Sequence, residues 1–186
     1  MNLKYNYIIL LIFFLIPHAK GAENLFLYKG TFSRTIEIEE LYKFKTTKKA
    51  SNKLKNLIRI TNQKEENLHK VLSLEIEVPL KTSSKLMNSK IGEVFLNRLS
   101  QIIYINKLSD KKLNTKAIRS GILLSSYNNN QKINLIDFFK AYPNQNIAID
   151  LNALSKTLEK VQSLKELIEF YSDSPFKKLK VGRSST

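Results

Sequence analysis

Three short stretches of the chain alternate apolar and polar residues, and each runs straight into helical spacing. RTIEIEEL at 34–41, LSLEIEVPL at 72–80 and QNIAIDLNAL at 145–154 place apolar side chains at i and i+2, then an acid or proline, then leucine. Period two marks a strand and period 3.6 a helix, so the shared phrase reads as a strand-to-helix junction. Its acids then serve as helix-dipole and capping partners rather than as a catalytic set.

The rest of the pattern fills in around these junctions. NLFLYK and FSRTIEI alternate on either side of Gly30-Thr31, where glycine permits positive φ, which predicts a hairpin. A helix follows through Leu41 and Phe44, and another follows Ser51 with Leu54, Leu57 and Ile58 on one face. Asn62 with Glu65 three residues on has the spacing of a reciprocal cap for a helix that buries Leu68, Val71 and Leu72. From Ser89 the spacing predicts a longer helix carrying Ile91, Val94, Phe95, Leu99, Ile102 and Ile103 inward.

Ala117, Gly121 and Ser125 form a small-residue stripe that lets another element approach closely. Residues 128–130 read as a turn, and Asn134 caps a helix bearing Leu135, Phe138, Phe139 and Tyr142 that stops before Pro143. Asp150 caps a last helix whose apolar positions run from Leu151 through Leu154, Leu158, Val161, Leu164 and Ile168 to Tyr171. The fold class expected is α+β, mostly helical, with residues 25–29, 35–38, 74–78 and 146–149 in one small sheet.

The beginning of the chain departs from this pattern. Lys4 precedes an unbroken apolar run at 7–16, then Pro17 and small residues, the layout of a secretory signal peptide. The run is about half the ~20 residues a membrane-spanning helix needs. Ala19 and Gly21 stand at the −3 and −1 positions of a cleavage before Ala22. The organisation expected is a signal peptide at 1–21, one domain at 22–174 and a basic, structureless tail at 175–186, in an exported protein. An uncleaved N-terminal anchor is the alternative.

Composition narrows the chemistry. The 186-residue chain has no cysteine, so neither disulfides nor thiolate zinc sites are available. Its two histidines are His18, inside the expected signal, and His69. The formal charge of +15 invites an anionic partner, but most of the 31 basic residues are lysines scattered along helices. Nucleic-acid binding favours clustered arginine and aromatic residues, and no nucleic-acid partner is expected.

With the elements placed, LYKG and TIEIEEL, LEIEVPL, SKIGEVFL, KAIRSGILLSS and FFKAYPNQNIAIDLNAL together resemble a domain of unknown function, known mainly from cyanobacteria, that commonly precedes an α/β-hydrolase domain. The resemblance runs from about residue 24 to 168. It implies an α/β-hydrolase label, an exported hydrolase-like protein as partner, and motif positions at Tyr28, Gly30, Leu41, Gly92, Arg119, Gly121, Tyr142, Pro143 and Asp150. The residues themselves give those positions structural roles, with Arg119 expected to be packed and ion-paired.

The chemistry of a hydrolase is harder to find. The chain has no G-x-S-x-G elbow and no glycine-rich phosphate loop. His69 sits at the edge of a helix's apolar face, and Glu37, Glu39, Glu75 and Glu77 look like exposed strand acids. The expectation is therefore a binding or regulatory domain with no catalytic, cofactor or metal residues. A hydrolase is the first alternative, and a peripheral protein on an anionic membrane surface is the second.

Overall fold

The computed structural model describes residues 21–160 apart from positions 62 and 109. Residues 1–20 of the expected signal peptide, the expected continuation of the last helix beyond 160 and the tail lie outside the described residues. The chain opens with β1 (Asn24–Lys29) and β2 (Phe32–Glu37), then α1 (Ile38–Thr47), α2 (Asn52–Ile60) and α3 (Glu65–Ser73). β3 (Ile76–Glu77), α4 (Leu80–Met87), α5 (Lys90–Leu99), β4 (Ile103–Ile105) and α6 (Lys111–Asn128) follow. The described part ends with β5 (Lys132–Ile133), α7 (Leu135–Ala141), β6 (Asn146–Asp150) and α8 (Leu151–Lys160).

The fold is α+β. Its four-stranded sheet has the order β2-β1-β6-β4, and β3 and β5 form a separate pair. β1 and β2 make the expected hairpin, with Gly30 at φ 60° in the turn. β1 and β6 run parallel, pairing Leu25 with Ile147 and Leu27 with Ile149. β4 closes the far edge antiparallel to β6. Alternation sends Leu25, Leu27, Ile36, Ile147 and Ile149 to one core with Ile38, Leu41 and Phe44 of α1, Ile118 of α6, and Ile136 and Phe139 of α7. Each such side chain contributes roughly 1.5–3 kcal/mol when fully buried.

All three repeated phrases are strand-to-helix junctions, as their spacing predicts. β2 passes directly into α1, with Glu39 and Glu40 in its first turn. β3 leads through Pro79 into α4. β6 ends at Asp150, whose Oδ1 accepts from the backbone N–H of Asn152 and Ala153. The cap at Ser51 accepts from Leu54 N and that at Asn134 from Asp137 N.

Three expectations need correction. The 74–78 stretch is not part of the main sheet: only Ile76 and Glu77 form a strand, paired with Ile133 and Lys132. Val78 explains the diversion, because its N–H donates to Gln131 O and its carbonyl accepts from Ser126 Oγ at 2.6 Å. Those bonds tie the segment to the end of α6, and Ile103–Ile105 takes the fourth place in the sheet.

The helix begun at Ser89 stops at Leu99, so Ile102 and Ile103 leave it, and Ile91 and Val94 face outward at 65% and 53% exposure. Its inward face is set instead by Gly92 and Leu96. Finally, α3 is preceded by Lys64, which makes no side-chain cap, and Glu65 is the first helical residue. That register is incompatible with the Asn62–Glu65 box; Asn62 itself lies outside the described residues.

Two helical glycines permit close approach. A Cβ on Gly121 would lie 3.0 Å from the Phe138 ring, and one on Gly92 would lie 1.9 Å from the Leu86 carbonyl oxygen. Alanine ordinarily favours a helix interior over glycine by about 1 kcal/mol. Gly92→Ala is expected to reverse that sign and lower stability by about 2 kcal/mol or more, because rigid backbone has to move. Gly121→Leu should cost about 1–3 kcal/mol by overpacking, whereas the exposed Lys156→Ala should stay within about 0.5 kcal/mol. Urea denaturation of the three variants checks the ranking, and a stabilised Gly92→Ala would refute the close approach.

Candidate functional site

The motif positions do not converge on one place. Leu41 is core, Pro143 is exposed after α7, and Gly30, Gly92 and Gly121 answer backbone demands. Tyr28 and Asp150 are register partners on β1 and β6, on the sheet face opposite Leu27 and Ile149. Tyr104 of β4, paired with Ala148, shares that face. Tyr28 donates its hydroxyl to Asn106 Oδ1 at 2.8 Å. Burial first, and then the Asp150 charge and Tyr28, raise the Tyr104 phenol above its ordinary range. A phenol so raised stays neutral around neutral pH. Tyr104 escaped the sequence reading because the helix from Ser89 was carried through Ile103; the alternation of residues 103–105 was the available signal.

Arg119 and Tyr142 each leave a buried polar atom without a hydrogen bond, Nε and the hydroxyl respectively. This corrects the expectation of an ion-paired arginine: among the described residues no carboxylate lies within salt-bridge reach of Arg119. Tyr142 is fully buried against Phe138, ring centroids 5.9 Å apart, and burial drives its phenol far above the usual range.

His69 is half-buried on α3. Its Nε2 donates to the Lys45 carbonyl at 3.0 Å, and its ring meets the Phe44 ring edge-on at 5.9 Å. It thereby docks α3 on the end of α1. Among the described residues there is no group of three or more histidines and acids arranged to hold a metal, and no helix long and apolar enough to cross a membrane.

The acids are less scattered than they look in the sequence. Glu75 pairs with Lys132 at 3.7 Å. Glu37 and Glu39, however, meet Glu23 and Lys140 around a hollow of about 370 Å³ that Ala22, Asn24 and Ile38 complete. Lys140 Nζ lies 4.0 Å from Glu39 Oε2 and 4.2 Å above the Tyr42 ring. The β2–α1 junction supplies two carboxylates and the residue before β1 supplies a third. Nothing in the sequence links position 23 to 37 except the hairpin register, which pairs Asn24 with Glu37. A second, smaller hollow of about 110 Å³ lies between Arg34–Ile36 and Lys53, Asn56 and Leu57. Neither is lined by His69.

The fold and these positions can now be set beside known families. The model of a family described as alpha/beta hydrolase of unknown function (DUF1400) matches residues 21–150. The chain belongs to that family. No curated protein and no solved structure matches it. The DUF1400 match starts at Gly21, beside the acidic hollow, and ends at Asp150, the cap of α8.

The unsatisfied hydroxyl in this DUF1400 domain gives a direct test. An unpartnered buried hydroxyl costs about 1–3 kcal/mol, so Tyr142→Phe should leave stability equal or raise it by about 1 kcal/mol. Thermal unfolding measures this; a loss of similar size would reveal a partner for the hydroxyl.

Proposed function

We propose that this domain acts by contact, as an exported binding or regulatory module for a hydrolase-like protein, and carries no turnover of its own. The observation that supports this most is the engagement of His69, the only imidazole among the described residues. Acyl transfer requires a base oriented by a carboxylate toward an activated nucleophile. The contacts of the His69 ring are instead a backbone carbonyl and a phenylalanine, both of which serve the packing of α3 on α1.

A surface for contact is available on α5. Ile91 and Val94 stand one turn apart on the outward side of the helix while Gly92 and Leu96 fix its inner side. Exposed β-branched aliphatics one turn apart offer a patch for a partner's apolar surface, and they fall within the SKIGEVFL motif. The hydrolase-like partner follows from the fused arrangement that the family resemblance implies; this step is analogy.

The test pairs an activity arm with a binding arm. Wild type and His69→Ala, assayed on activated esters with a serine-reactive phosphonate probe, should be equally inactive, and the variant should lose about 1–3 kcal/mol of stability from the broken hydrogen bond and ring contact. Turnover or labelling present in the wild type and lost in the variant would restore the hydrolase alternative. In the binding arm, an exported α/β-hydrolase captured by the wild type should be lost by Ile91→Asp/Val94→Asp and retained by His69→Ala.

A further inference from the structure

The acidic hollow lies where the fold begins. Ala22 is 6% exposed, and its N–H donates to Phe139 O at 3.3 Å. The next two N–H groups, of Glu23 and Asn24, both donate to Gln145 O, at 2.9 and 3.0 Å, and Glu23 O accepts from Ile38 N. From Ala22 onward, therefore, the backbone is bonded into the frame. Gly21 presses on the last turn of α7, where a Cβ would come within 1.7 Å of the Lys140 carbonyl oxygen. The peptide bond between residues 21 and 22 is thus packed against α7 in the folded domain.

The charge of the hollow that Ala22 helps to line is unusual for the chain. Overall, 31 lysines and arginines outnumber 16 acids. The hollow reverses that balance, with Glu23, Glu37 and Glu39 against Lys140 alone. An amide nitrogen offers one hydrogen, already directed to Phe139 O, and carries no charge to match three carboxylates. An α-ammonium offers three hydrogens and a full positive charge near neutral pH.

We propose that the hollow seats the processed amino terminus of the chain. Hydrolysis of the Gly21–Ala22 amide by a signal peptidase adds water across the bond, leaving a carboxylate on Gly21 and an ammonium on Ala22. The ammonium keeps Phe139 O as one acceptor and turns its remaining hydrogens into the hollow, where charge-assisted bonds to carboxylates are the stronger kind. Because the scissile bond is packed in the folded domain, cleavage precedes folding, and the folded protein is locked by the product of its own processing. This inference rests on the export reading and is independent of whether the domain binds a hydrolase or acts as one.

The experiment has two readouts. The full precursor is expressed in an exporting bacterial host, and the exported protein is sequenced from its amino terminus. A start at Ala22 is expected, and a start at any other residue overturns the proposal. The mature chain is then compared with the same chain acetylated at Ala22, which removes the charge and two hydrogens without changing the sequence. Acetylation should lower Tm by about 3 °C, the shift typical of one moderate interaction in a domain this size. In the Glu37→Gln/Glu39→Gln background the same acetylation should have at most half that effect. Equal melting of free and acetylated protein overturns the seating, as does an acetylation effect that the double variant leaves unchanged.

Discussion

Asn24 and Asn146 lie side by side on parallel strands although 122 positions separate them in the chain, and their side chains are joined by a 3.3 Å hydrogen bond. The entropy lost in closing a loop rises with the logarithm of its length, and parallel strands offer no tight turn to help. The β1–β6 pairing therefore exists only because what lies between can be buried on the way. Seven helices occupy the crossover, and those that reach the sheet bring Leu41, Phe44, Ile118, Ile136 and Phe139 to the Leu25–Ile147 layer. The bonds from residues 22–24 to Phe139 and Gln145 extend the same seam by one turn of backbone, so the first described residues are part of the closure and not a lead-in to it.

The elements that could be read from the sequence are those whose signal is local. The β1–β2 hairpin needed only alternation and a glycine, α7 only Asn134 and Pro143, and the β6–α8 junction only Asp150 and a period of three and four. Each of these is fixed by chemistry within a few residues of itself. The misread segments are those whose state depends on a distant partner. Val78 is claimed by Gln131 and Ser126, which lie about fifty positions away, and no feature of LEIEVPL announces it. Residues 103–105 are strand because β6 presents Ile147–Ile149 to them, whereas in isolation their run of isoleucines continues a helix face equally well. Ile91 and Val94 were placed inward because apolar residues usually are, but the helix instead turns its smallest residue to the neighbour, since only glycine admits the Leu86 carbonyl.

The same distinction governs the candidate site. Single residues with a local job sit where their neighbours require them: Gly30 in its turn, Gly121 under the Phe138 ring, Asp150 as a cap. The gathering of Glu23, Glu37 and Glu39 was not, because it is a product of the hairpin register and of α7 delivering Lys140 from more than a hundred positions away. Sequence order shows Glu37 and Glu39 as neighbours on a strand exit. Only the closed frame makes them the wall of a hollow.

That frame also bears on the family description. The DUF1400 match spans 21–150, from the glycine pressed on the end of α7 to the residue that ends β6. Those limits coincide with the two ends of the long parallel closure, so the matched unit is the crossover itself. An α/β-hydrolase sheet carries its nucleophile on a strained elbow between a strand and a helix. Among the described residues five strands lead into a helix, and the residues at those helix entries are Glu37, Pro79, Asp110, Asn134 and Asp150, three of them side-chain caps. At each of these entries the residue's local task is to start a helix.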